Sequence, residues 1–282
     1  MSAVVGGLGA AACFAASTLC SSRTSRMIGP ASVLAWVALV GLAVAGPAVL
    51  LSGPPHRLDA TSLLWLALSG TGNAAGLLLS YGALREGKVG LVAPIVSSEG
   101  AVAAVIAVAA GERIRVAAEL VLVVIAAGVM LVAFARDADG VRKAASHRAV
   151  VLAAAAAVAF GASLYATAKV GADLPLAWAV LPARLIGTLV VAMPLAATAR
   201  LRITRPAAPL LVMAGLCEVG GFGSYTLGAR DQIAVSAVIA SMFAGVATVA
   251  AYFLFGERLE RTQKLGVAAI ALGVAALSAA QI

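Results

Sequence analysis

The sequence predicts an all-α membrane protein, with ten transmembrane helices folded as two inverted five-helix repeats around a central cavity. Three observations predict it. The chain is 62% hydrophobic and only 11% charged, with a mean hydropathy of +1.05, whereas a water-soluble chain carries roughly 25% charged residues to cover its surface. Its apolar residues fall into ten runs, each near the ~20 residues a helix needs to cross ~30 Å of hydrocarbon. The two halves of the chain match each other when one is shifted by 145 residues.

Taken in order, the expected spans are residues 4–20, 31–51, 62–83, 89–110, 116–135, 149–168, 176–197, 207–227, 234–255 and 265–280. The runs are long and rich in Ala and Leu, without the period-two alternation of a membrane strand, so helices are expected. Residues 1–20 contain no Lys or Arg. The first run is therefore read as a true span and not as a cleaved signal peptide, which would carry a basic leader. No soluble domain is expected before or after the membrane part. The longest polar gap, 136–148, holds Asp137, Asp139, Arg142, Lys143, His147 and Arg148. It divides the chain into a first repeat (1–140), a linker (141–148) and a second repeat (149–282).

The internal match is specific. Gly111-Glu112-Arg113 aligns with Gly256-Glu257-Arg258, Arg85-Glu86 with Arg230-Asp231, and Gly128-Val129 with Gly273-Val274. Phe14 and Ser17 meet Phe160 and Ser163 with one further residue of shift. Apolar composition alone yields stray Ala and Val matches but not an aligned Gly-Glu-Arg at the same loop. Five spans per repeat is an odd number, so the second repeat enters from the opposite face. That relation, a pseudo-twofold axis in the membrane plane, is common among secondary transporters.

These features resemble the EamA-type members of the drug/metabolite transporter superfamily. The resemblance rests on Tyr81-Gly-Ala-Leu-Arg before span four, Gly-Glu-Arg after it and Gly-Val late in the next helix, each with a counterpart in the second half. It implies two inverted five-helix repeats around a cavity, moving small metabolites by alternating access. Members handle amino acids, sugars, nucleotide sugars and drugs, so the resemblance implies a class and not a solute. It also implies cytoplasmic termini. The charge distribution reads the other way: fourteen Lys and Arg fall in the gaps after odd spans and five in the gaps after even spans, which places both termini outside. Both readings put the termini on one side.

The net charge of +8 is spread over short flanks between apolar runs. No compact basic face forms, and nucleic acid is not an expected partner. Cys13, Cys20 and Cys217 lie within apolar runs and have no metal-ligand spacing, so they are read as small apolar fillers. His56 and His147 are isolated in loops, and no zinc-protease, nucleophile-elbow or phosphate-cradling motif occurs. No cofactor or metal is expected. An intramembrane enzyme, the alternative from another class, needs a nucleophile–base pair or metal cluster within the spans, and the sequence offers neither.

Charges deep within spans are the site candidates, because each costs at least ~2.5 kcal/mol at the bilayer centre unless it faces a cavity or a partner. They are Glu218 in span eight, Glu99 in span four and Arg184 in span seven. Glu218 ranks first for substrate binding or proton coupling. Its repeat counterpart is Asn73, and Phe222 and Tyr225 follow four and seven residues on, hence on its own helix face. An acid beside aromatic rings suits an organic cation. Its bland reading is a packing group paired with Arg184. Glu99 ranks second, flanked by Ser97 and Ser98 and five residues beyond Pro94, whose missing N–H frees a carbonyl. Arg184 is read as a partner for an acid ahead of a site for substrate carboxylate. Asn73, within Gly72-Asn-Ala-Ala-Gly76, serves packing or the pocket equally. Tyr165 and Trp36 are further candidate cavity aromatics. Trp65 and Trp178 lie near span ends, where belt aromatics belong.

The expected function is a secondary active transporter, working as an exporter, of small polar or amphipathic metabolites such as amino acids, organic cations or drugs. Protons moving through Glu218 or Glu99 drive it in this reading; the alternative is an uncoupled facilitator or exchanger. The expected partners are a small-molecule solute and membrane lipid. The chain is expected to act as a monomer in the plasma membrane of a bacterium.

Overall fold

A computed structural model describes residues 2–53, 59–110, 140–171, 174–230 and 239–256, together with 264–265, 268–269 and 272. Every regular element among them is helical. Among the described residues six helices are long and apolar enough to cross a membrane, and the chain is an integral, multi-pass membrane protein. Span five, most of span ten, the start of span nine, and Glu112, Arg113, Glu257 and Arg258 lie outside the described residues.

Helix α1 (Ser2–Ile28) runs eight residues beyond its expected end. The serines and threonine that read as a loop are buried, and Thr24 returns its hydroxyl to the carbonyl of Cys20 at 2.9 Å, a bond that keeps a polar residue helical. Gly29 alone turns the chain into α2 (Pro30–Ser52), at φ 88, a conformation open to glycine and costly to other residues. The Arg26 guanidinium then donates to the carbonyls of Leu84 (3.3 Å) and Gly87 (2.7 Å), satisfying the C-terminal end of α3 (Ala60–Glu86). At the other end of α3 the Asp59 carboxylate caps the helix. The Ser62 hydroxyl and backbone N–H hold it below its ordinary range.

The fourth span is broken. Helix α4 (Val89–Val96) stops at Ser97, and α5 (Glu99–Ala109) resumes after it. The hydroxyls of Ser97 and Ser98 donate to the carbonyls of Pro94 and Ile95 at 2.8 and 2.7 Å, taking up acceptors at the break. A second interruption occurs at Met242, before α10 (Phe243–Phe255). Ser97 and Met242 are 145 residues apart and share the dihedrals φ −64, ψ −10.

Helix α6 (Gly140–Gly171) begins ahead of the expected span, so the segment expected as a linker continues it. Arg148 reaches Glu86 at 3.3 Å. Helix α7 (Leu176–Ile186) passes through a π-helical stretch (Gly187–Ala192) into α8 (Met193–Ala197). It ends in a Schellman turn, with Arg200 N–H on the Leu195 carbonyl (2.8 Å) and Ala199 N–H on that of Ala196 (3.0 Å). Ala199 takes φ 53 there, the position where glycine is usual. Ala199→Gly is therefore expected to stabilise the protein by about 1 kcal/mol, read as a raised melting temperature of the purified protein.

Helix α9 (Ala208–Ala229) completes the described framework. Packing follows a regular scheme: α1 lies on α9, α3 on α6, α2 on α7 and α9, α3 on α7, α10 on α4 and α1, and α5 on α6. The α1–α9 and α3–α6 pairs are antiparallel and set by glycines. An added Cβ at Gly221 meets the Phe14 ring at 2.5 Å, and one at Gly76 meets the Phe160 ring at 2.6 Å. Small residues let such helices approach without a hydrophobic driving force.

Candidate functional site

A cavity of about 60 Å³ lies where these helices meet. From α1 it is lined by Phe14, Ser17 and Thr18, and from α3 by Leu77, Ser80, Tyr81 and Leu84. Val92, Ala93 and Val96 of α4 and Glu99 of α5 form another wall. Phe160, Ser163 and Leu164 come from α6, Glu218, Phe222 and Tyr225 from α9, and Phe243 from the start of α10. Each helix that gives several of these residues holds pairs three or four apart, the spacing that places side chains on one face.

Glu218 is buried and doubly held. One carboxylate oxygen accepts from the Ser17 hydroxyl at 2.9 Å, and the other lies 3.5 Å from Arg184 Nη2. Arg184 is 1% exposed, the largest fully buried side chain among the described residues. The fold makes room for it at Gly41, where an added Cβ would lie 2.6 Å from Arg184 Cδ. Its guanidinium carbon also sits 5.8 Å from the centre of the Phe222 ring, within cation–π range. Arg184 Nε and Nη1 have no hydrogen-bond partner among the described residues.

Glu99 stands differently. It opens α5, the helix end that favours an acidic side chain, and lines the cavity with no hydrogen bond or ion pair among the described residues. Next to it the two helix breaks touch, for a Cβ on Gly100 would lie 3.4 Å from Ser241 Oγ. Close packing on α6 fixes this corner, since a Cβ on Gly161 would lie 2.9 Å from the Glu99 carbonyl oxygen.

Of the sequence-predicted residues, the structure brings Glu99, Glu218, Phe222 and Tyr225 to one cavity, with Arg184 behind Glu218. Asn73 does not line it. Asn73 is 1% exposed, with neither amide atom hydrogen-bonded among the described residues. The Ser98 hydroxyl is spent on the Ile95 carbonyl. Tyr165 turns away from the cavity and packs edge-on to Trp65 at 5.8 Å, beneath Lys169 Nζ at 5.1 Å. Trp36 donates to the Arg202 carbonyl at 3.0 Å, and Trp178 to that of Gly53 at 3.2 Å. Sequence reasoning missed Phe14, Tyr81, Phe160 and Phe243. The signal for two of them was present, because Phe14 and Phe160 are aligned by the repeat.

Comparison with known proteins adds the following. No curated protein matches the chain. A solved crystal structure is similar over 99% of this chain and 97% of its own, with a TM-score of 0.64 and 17% identity; at that identity the likeness shows the fold alone. The profile of the EamA-like transporter family matches residues 1–134. Residues 1–134 thus match the EamA-like transporter family, which belongs to the drug/metabolite transporter superfamily.

Proposed function

We propose that the protein is a secondary active transporter that moves a small metabolite through this cavity by alternating access, as an exporter in a bacterial plasma membrane, with protons exchanging at a cavity carboxylate. The observation that carries this reading is a cavity with two carboxylates, walled by helices from both halves of the chain.

The reciprocity of the packing supports an inverted repeat. Exchanging the halves turns α1 on α9 into α6 on α3, and α2 on α9 into α7 on α3. It also turns Phe14 against Gly221 into Phe160 against Gly76, and the break at Ser97 into the break at Met242. Broken helices at the repeat interface are where transporters of this architecture build their sites. The polar groups differ between the halves: Ser17 meets Glu218 in one, while the corresponding Ser163 donates to the Ser69 carbonyl at 2.7 Å in the other. The cavity is far smaller than the ~300–1,000 Å³ of sites that hold drug-sized ligands, so solute entry requires the helices to part, as alternating access does.

Solute-induced thermal stabilisation of the purified protein, across a broad panel of metabolites, tests this reading. At least one small polar or amphipathic solute is expected to raise the melting temperature in a dose-dependent way. That shift should vanish when Ser80→Trp fills the cavity. A shift that survives the filled cavity would place binding elsewhere.

A further inference from the structure

Charge bookkeeping at the cavity goes further than the class of transporter. Two acids line it, and among the described residues no Lys or Arg does. One acid is already neutralised, for Glu218 holds Arg184 and the Ser17 hydroxyl. Arg184 pairs with Glu218, lies over the Phe222 ring and does not line the cavity. Glu99 is left as the one lining acid with no partner among the described residues. The remaining wall is mostly apolar, with six aromatic rings set among aliphatic side chains and the hydroxyls of Ser17, Thr18, Ser80 and Ser163. Phe14 meets Phe222 edge-on at 5.8 Å and Phe243 at 6.2 Å, and Phe160 and Tyr225 complete the ring.

We infer that this cavity takes a monovalent organic cation, an ammonium group carried on an apolar body, with Glu99 as its counter-charge and the aromatic rings around it. The inference rests on the transporter reading and narrows its substrate class. An organic anion would meet two carboxylates and no available base. An amino acid would seat its ammonium but leave its carboxylate unpaired in an apolar wall, a costly burial. An organic ammonium needs one counter-charge and ring faces, and ring faces attract it through their quadrupoles. The role first expected of Glu218 thus falls to Glu99, because Arg184 already occupies Glu218.

The test uses the full chain, purified in detergent micelles, and four probes of similar body and different charge: phenethylamine, phenethyl alcohol, hydrocinnamate and phenylalanine. Titration at neutral pH is expected to give phenethylamine at least about tenfold tighter binding than the alcohol, with hydrocinnamate and phenylalanine weaker than the alcohol. In Glu99→Gln the amine and the alcohol should bind alike. Phe243→Leu should weaken the amine about fivefold and leave the alcohol nearly unchanged. If Glu99→Gln does not fold, Glu99→Asp takes its place and should keep the amine preference at reduced affinity. Equal binding of amine and alcohol, a preference for phenylalanine or hydrocinnamate, no binding of any probe, or an amine preference that survives in Glu99→Gln would overturn the assignment.

Reconstitution separates this inference from the reading beneath it. If phenethylamine binds at Glu99 yet never crosses the bilayer in proteoliposomes, the transporter reading fails and the cation site stands. If phenylalanine or hydrocinnamate is carried equally by the parent and Glu99→Gln, the cation site fails and the transporter reading stands.

Discussion

Glu218→Ala is expected to destabilise the folded protein by about 3–5 kcal/mol, the cost of leaving a buried charge without its partner. The charge left behind is Arg184, 1% exposed and already short of hydrogen-bond partners for Nε and Nη1. Arg184→Leu alone should also destabilise, because Glu218 would then rely on the single Ser17 hydroxyl. The two changes together should recover most of the loss, since a buried ion pair replaced by apolar groups is often neutral or better. Glu218→Gln should fall between parent and Ala, keeping the Ser17 bond while exposing Arg184 to the same deficit. Unfolding of purified protein by denaturant checks all four. Additive losses in the double variant would mean that the two side chains do not act as a pair.

Gly6→Ala should be nearly as damaging, by about 3 kcal/mol, at the upper end of what overpacking costs. Its added Cβ would lie 2.6 Å from the Ser224 carbonyl oxygen and 2.7 Å from the Gly228 Cα. Both are backbone atoms, so no side chain can rotate away and α1 must part from α9. Gly46→Ala in α2 is the control. Nothing lies within 4 Å of a Cβ there, and replacing a mid-helix glycine should stabilise by about 0.5–1 kcal/mol. Melting temperatures should therefore move in opposite directions for one added methyl group. If both rise, α1 and α9 do not make this backbone contact in the folded protein.

Hydropathy made the helices legible in the sequence, because it measures the hydrocarbon each run must cross. It does not measure helix length. The ends of α1 and α6 went unread for that reason: Ser21–Ser25 and Val141–Arg148 are polar enough to leave the membrane yet remain helical. The break in span four was signalled by Pro94 and the two serines after it. Its location at Ser97 depended on hydroxyl-to-carbonyl bonds that no apolar count reveals. At the site, the cost of bare charge in lipid was enough to single out Glu99, Glu218 and Arg184. The pairing of Arg184 with Glu218 was one of two readings the sequence left open, and the Gly41 notch that seats the guanidinium against α2 decides it. The aromatic wall was half legible. Repeat alignment ties Phe14 to Phe160, but only the packing on Gly221 and Gly76 turns those rings to the cavity.

Counterflow in proteoliposomes tests the central claim most directly. Vesicles holding purified protein would be preloaded with an unlabelled solute that stabilises it, then diluted into a trace of the labelled solute. Transport by alternating access predicts saturable uptake that overshoots equilibrium and depends on the preloaded solute, and that is lost when Ser80→Trp fills the cavity. Uptake that matches protein-free vesicles, or that rises linearly with concentration and ignores the preloaded solute, would contradict it.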